Sequence, residues 1–135
     1  MNKLSTVALL ILLGAAGMFN GVSLTTDPTG RSLGLDVAML PSWHTWDYRI
    51  SGLFVLFFLG LGPLICVAAV LVDASEAALY VVCVGLLTIG WVVWQILVLD
   101  IDAPRAQVPL TLLGVALIGL AVGQFRARAR ERSRK

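Results

Sequence analysis

What this chain has least of is charge. Only 13% of its 135 residues are Asp, Glu, Lys or Arg, against 59% hydrophobic, whereas soluble domains carry about 25% charged residues. The few charges leave four uncharged intervals: Leu4–Thr26, Ile50–Val72, Ala77–Leu99 and Ala106–Phe125, of 23, 23, 23 and 20 residues. A soluble globular fold is excluded. So is the intramembrane carboxylate on which proton-coupled carriers usually rely, because none of these intervals holds an ionisable acid or base. The single histidine, His44, cannot supply paired axial ligands for a membrane haem or a three-histidine zinc site within one chain. The two cysteines, Cys66 and Cys83, form no C-x-x-C and are too few for a metal set. No G-x-S-x-G elbow, P-loop or HExxH occurs. The sequence thus predicts no catalytic residue, no metal ligand and no cofactor.

What is present is apolar length. About 20 apolar residues cross a hydrocarbon core of about 30 Å as a helix, and an unclosed strand would leave its backbone unpaired in lipid. The expected fold is all-α integral membrane: a four-transmembrane-helix bundle forming one domain over residues 1–135. Its spans fall at about 4–24, 50–72, 77–99 and 107–125, with an outer loop at 25–49 and a basic tail at 126–135. The first span also resembles a secretory signal, with the small residues Gly14-Ala15-Ala16-Gly17 as a cleavage region. Apolar character continuing through Met18, Phe19, Val22 and Leu24 favours an uncleaved helix. Pro63 should kink the second span by removing a donor and crowding the preceding turn. Cys66 and Cys83 each lie about seven residues from the Asp73–Glu76 turn and so at similar depth; both read as unreactive core thiols.

Lys and Arg set orientation. Lys3, Arg126, Arg128, Arg130, Arg132, Arg134 and Lys135 share one side with the Asp73–Glu76 turn, while the other side holds Arg31, Arg49 and Arg105. Both termini are therefore expected in the cytoplasm. Alternating arginines in the tail scatter around a helix, so a frayed tail is expected, with Arg126, Arg128 and Arg130 contacting anionic lipid. Without aromatic interleaving or a reading module, nucleic acid is not an expected partner.

Small residues mark close helix contacts in lipid. Gly17-x-x-x-Gly21 and Gly119-x-x-x-Gly123 are the two such spacings considered, as seams within the chain, between two copies, or with a partner. Polar groups inside the spans are few: Asn20, Thr88 and Gln95.

The outer loop is the most distinctive stretch. Asp27-Pro28-Thr29-Gly30 is a turn signal. Leu33, Val37 and Leu40 fall at helical spacing, predicting a short amphipathic or interfacial helix that Pro41 ends. Ser42 to Arg49 then mixes aromatics with polar groups, and Asp47 could pair with Arg49. The loop reads either as a structural cap or as a docking surface with Trp43, His44, Trp46 and Asp47 as ligand or partner contacts. Its run Asp27-Pro28-Thr29-Gly30, Leu33-Gly34-Leu35, Trp46, Asp47-Tyr48 and Ser51-Gly52-Leu53 resembles a pattern of small four-span bacterial membrane proteins, actinobacterial in type. That pattern is D-P-[ST]-G, L-G-[LM], an aromatic, D-[YF] and P-G-L; this chain departs from it at Ser51 and Trp46. The resemblance implies a fold and a membrane, and carries no activity. Three functions fit these residues: an accessory, scaffold or partner-binding subunit of a larger membrane assembly; a small homo-oligomeric transporter or channel; and a lipid-acting enzyme using His44 and Asp47. The first needs no reactive group, which is what the sequence offers.

Overall fold

The computed structural model describes residues 2–43 and 47–134. Four helical spans, each long and apolar enough to cross a membrane, form an all-α bundle. The first is α1, Lys3–Thr26, capped by Asn2, whose side chain accepts the Ser5 amide at 3.2 Å. The second runs from Arg49 to Leu71 in three pieces: α2 (Arg49–Phe54), a π-helical segment (Val55–Leu61) and α3 (Gly62–Leu71). The third is α4, Ala77–Leu97, and the fourth α5, Pro104–Arg132. The chain is a small multi-pass membrane protein.

The π segment is how the second span accommodates Pro63. An α-helix would pair the Leu59 carbonyl with the amide that Pro63 lacks. Ahead of it the span shifts to hydrogen bonds five residues back, Gly62 donating to Phe57. Such local π adjustment is how spanning helices absorb proline in lipid. The Leu59 carbonyl lies against Gly17 of α1, where an added Cβ would overlap it.

That contact belongs to a long seam. Gly14, Gly17 and Gly21 place α1 against Leu64, the Leu59–Gly60 backbone and Leu56, while Gly52 rests on Leu24 and Thr25. A second seam joins the third and fourth spans: a Cβ on Gly85 would come 2.8 Å from the Gly114 carbonyl, and one on Gly114 would come 2.9 Å from that of Gly85. Each span touches its two neighbours in chain order and the first also meets the fourth; spans on the diagonals do not meet among the described residues.

At the turn end, Leu10, Leu13, Val81, Leu117 and Ala121 are wholly buried in one core with Cys66 and Val70. The turn after α3 closes through Asp73 at φ 53°, with Ala74 donating to Ala69 and Asp73 to Val70. Lys3 pairs with Asp73 at 2.8 Å, and Arg128 donates to the Ser75 carbonyl at 3.2 Å, so both terminal segments reach the same turn. These contacts are exposed and each contributes at most about 1 kcal/mol.

Three expectations are corrected. The tail does not fray at Arg126: α5 continues to Arg132, because residues added to an already formed helix need no new nucleus. Cys66 is buried in the core, but Cys83 is exposed on the flank of the third span. The single loop helix over Leu33–Leu40 is replaced by two 3₁₀ turns, Arg31–Leu33 and Val37–Met39. Gly34, at φ 71° between them, is left-handed and interrupts any continuous helix.

The two glycine pairs should respond oppositely to added bulk. Gly17→Ala forces the first two spans apart, with a loss of about 1–3 kcal/mol or more that lowers the detergent unfolding midpoint. Gly123→Ala, where a Cβ meets nothing within 4 Å, should leave that midpoint unchanged or raise it; equal losses at both positions would contradict the seam.

Candidate functional site

The loop end is built around Tyr48. The Asp27 carboxylate organises the first turn, accepting the Thr29 hydroxyl at 2.5 Å and the Ser32 amide at 3.0 Å. Gly30, at φ 77°, lets the chain double back where a side chain would strike the Tyr48 ring. Tyr48 is 2% exposed; its amide donates to the Pro28 carbonyl at 3.0 Å and its hydroxyl to the Asp36 carbonyl at 2.9 Å. Burial, then the Asp36 carboxylate, push the phenol above its usual value and keep it a donor. Around it pack Leu24, Leu40, Leu99 and Ile101, with Leu33 and Leu35 at the edge. Val37 and Met39 point outward instead.

The short second loop is fixed by Gln107, which lies one turn into α5. Its Nε2 donates to the Ile101 carbonyl at 2.8 Å and its Oε1 accepts the Ala103 amide at 3.2 Å. One buried amide thus ties down the segment between the third and fourth spans.

Beneath these loops the spans diverge. Leu10 and Leu13 of α1 share the core with Leu117 and Ala121 of α5, but nearer the loops Ala16 and Asn20 face Ala106 and Leu110 across a cavity of about 560 Å³. Its walls are largely apolar, with Leu13, Val55, Leu59 and Trp91 among them; Asn20, Gln95, Asp102 and Arg105 supply polarity. On the opposite flank, between the second and third spans, an apolar groove of about 830 Å³ is lined by Phe54, Leu86, Leu87, Trp91 and Trp94. Trp91 stacks on Phe54, ring centres 4.8 Å apart. With Ser51 and Leu99 it borders both spaces.

The residues singled out from sequence scatter across this architecture. Trp43 is exposed and lines the groove, together with Cys83. Asp47 accepts the Arg49 amide at 3.0 Å, helping to start the second span, and pairs with no cation among the described residues. His44 and Trp46 lie outside the described residues. Gly17 and Gly21 sit in the first seam; Gly119 and Gly123 face open space on the fourth span. Arg126, Arg128 and Arg130 are exposed at the turn end. Among the spans' polar groups, Thr88 is wholly buried and donates to the Val84 carbonyl at 2.8 Å, whereas Asn20 and Gln95 converge on the cavity. Reading the sequence missed Tyr48 as loop anchor and Gln107 as clamp; the signal available was an amide within the first turns of a span and an aromatic one residue before one.

Among the described residues, no three His, Cys, Asp or Glu side chains cluster as a metal set would require. The arrangement offers hydrogen-bonding amides and two opposite charges beside an apolar floor. That chemistry suits binding.

The loop should show its carboxylate on titration. The Thr29 hydroxyl first, then the Ser32 amide, hold the Asp27 carboxyl below its ordinary 3.8. Because the folded value is depressed, its contribution to the turn is complete at neutral pH and is lost as pH falls from the ordinary range through the depressed one. Thr29→Val should move this loss to higher pH, read by NMR titration of Asp27 and exchange of the Ser32 amide; an unmoved titration would count against the turn. No protein-family model, curated protein or solved structure matches this chain, so its function is argued from the geometry of the loop end.

Proposed function

We propose that this chain is a non-catalytic accessory subunit of a membrane assembly, binding at its loop end and docking to a partner through its fourth span. The observation that carries this reading is that the cavity is blind. Toward the turn end it stops at Leu13, beyond which Leu10, Val81 and Leu117, wholly buried and apolar, fill the core. A conducting path through one chain would have to displace that core; a space closed at one end binds instead.

The docking face is supported by the fourth span itself. Only 17% of its most apolar window is buried inside the bundle, against 33–44% for the other three. Gly119 and Gly123 are spaced for close backbone approach, yet no neighbour among the described residues uses them. A larger membrane protein is the occupant we favour, and a second copy of this chain is the other candidate. The excess of bases at the turn end supports a cytoplasmic location for both termini, with Arg126, Arg128 and Arg130 beside anionic headgroups. The small four-span bacterial proteins sharing the outer-loop pattern are the proposed kin.

The competing reading, a small homo-oligomeric transporter or channel, makes a different prediction. Purified chain in liposomes should give no solute flux above empty vesicles. Mild-detergent extraction from native membrane should yield a stoichiometric partner, lost in Gly123→Ile while the unfolding midpoint stays unchanged. Flux that depends on Asn20 or Gln95 would overturn the accessory reading, as would a solitary monodisperse chain.

A further inference from the structure

The loop-end cavity carries more hydrogen-bonding capacity than the protein itself uses. Among the described residues the Gln95 side-chain amide has no hydrogen-bond partner. Asn20 gives its amide N–H to the Ala16 carbonyl at 2.9 Å, and its own carbonyl oxygen is unpaired. Ser51 is only 8% exposed, lies on the cavity wall, and its hydroxyl makes no hydrogen bond within the described residues. Asp102 and Arg105 border the same cavity without an ion pair to each other or to any other described residue. Of these residues only Ser51 is buried, Asn20 and Gln95 are partly exposed and Asp102 and Arg105 stand at the exposed rim, so their donors and acceptors are open to an occupant of the cavity.

The lining selects the kind of occupant. The floor is apolar, ending at Leu13 and Leu59, and suits a hydrocarbon chain. The polar groups lie nearer the loops, and their formal charges, one carboxylate and one guanidinium, cancel. The volume of about 560 Å³ falls within the roughly 300–1,000 Å³ of ligand pockets. The cavity lies where the first and fourth spans part, both long and apolar enough to cross a membrane.

We propose that this cavity holds a zwitterionic phospholipid from the leaflet at the loop end. One acyl chain reaches down to Leu13 and Leu59. The phosphate lies at Arg105, whose planar fork matches phosphate oxygens, and the headgroup ammonium at Asp102. The Gln95 amide and Ser51 hydroxyl donate to the ester carbonyls. An anionic lipid would gain Arg105 but meet Asp102 with no cation to offer, and a free phosphate would leave the apolar floor uncovered. This assignment rests on the binding, non-conducting reading above, and it names what is bound.

Photolabelling of the full chain tests it. The chain is reconstituted in phosphatidylglycerol vesicles containing a trace of diazirine-bearing phosphatidylcholine, and labelled peptides are mapped by mass spectrometry. Labels should concentrate on peptides carrying Leu13, Leu59 and Gln95. Unlabelled phosphatidylcholine should displace them at fractions that barely change labelling of the exposed Leu112 and Val115. Arg105→Gln and Asp102→Asn, both at exposed positions, should each weaken cavity labelling about tenfold, the loss expected for one charge-assisted contact. Equal cavity labelling by a diazirine phosphatidylglycerol probe would overturn the zwitterionic assignment. Labelling of the cavity no stronger than at Leu112 and Val115, or not displaced by competitor in the unmodified chain, would overturn the site. Solute flux from the same vesicles would instead overturn the non-conducting reading, so the two failures are separable.

Discussion

The first two spans meet backbone against backbone, where Gly17 of the first lies on the Leu59–Gly60 segment of the second. In lipid there is no hydrophobic drive to bring helices together, so contact at this distance is what association depends on. Three further features follow from it. The carbonyl deprived of a donor by Pro63 lies against a residue with no side chain, where a Cα–H can approach it. The π segment can therefore sit inside the bundle. Gly14 and Gly21 continue the seam along α1, fixing the first two spans as a rigid pair.

The third and fourth spans form a second pair through Gly85 and Gly114. The two pairs pack most fully at one end, and near the other they meet through Trp91 on Phe54 and Leu24 beside Leu99 and Ile101. At the fully packed end, residues 72–76 form a tight turn, and leucine, valine and alanine side chains from all four spans fill the centre. At the other end the links are longer, the centre is not filled, and space opens on both flanks. The loops stop this end from collapsing or splaying further. Tyr48 pins the long loop at two carbonyls and Gln107 pins the short one. Rigid pairs, a plug and a pinned lid together make a cavity with a defined floor and rim.

Much of this was legible in the sequence, and the divisions between success and failure are physical. The spans were plain because charge is excluded from lipid on thermodynamic grounds, so its absence marks them directly. Glycine spacing was less informative. Gly17 and Gly21 are packed, Gly119 and Gly123 with the same spacing meet nothing among the described residues, and Gly85 pairs with Gly114 although neither belongs to such a motif. Spacing defines a smooth face but does not say which neighbour covers it. The Leu33, Val37, Leu40 stripe misled for another reason: helical periodicity takes every backbone angle as right-handed, and Gly34 is not. Cys83 misled because depth in the membrane was read as burial in the protein. Asn20 and Gln95 were visible as polar residues far apart in the chain; that they share a cavity depends on how the first and third spans sit across it, which no local pattern encodes.

The same comparison explains why low charge and a polar cavity coexist. A charged side chain in the middle of a span would be costly whether or not the cavity is filled. An amide or hydroxyl is cheaper to bury, yet one left unpaired away from water still costs about 1–3 kcal/mol. Asn20 and Gln95 are only partly buried, which keeps that cost low while leaving both amides within reach of a ligand in the cavity. Asp102 and Arg105 avoid that cost by lying at the exposed rim. On the proposed reading, occupancy adds contacts at the end of the bundle whose centre is less filled. The fourth span, whose outer face we propose as the docking face, begins at that rim, with Pro104 and Arg105 in its first turn. On that reading, a ligand seated there rests on the first turn of the span that carries Gly119 and Gly123, so the two proposed sites share one helix.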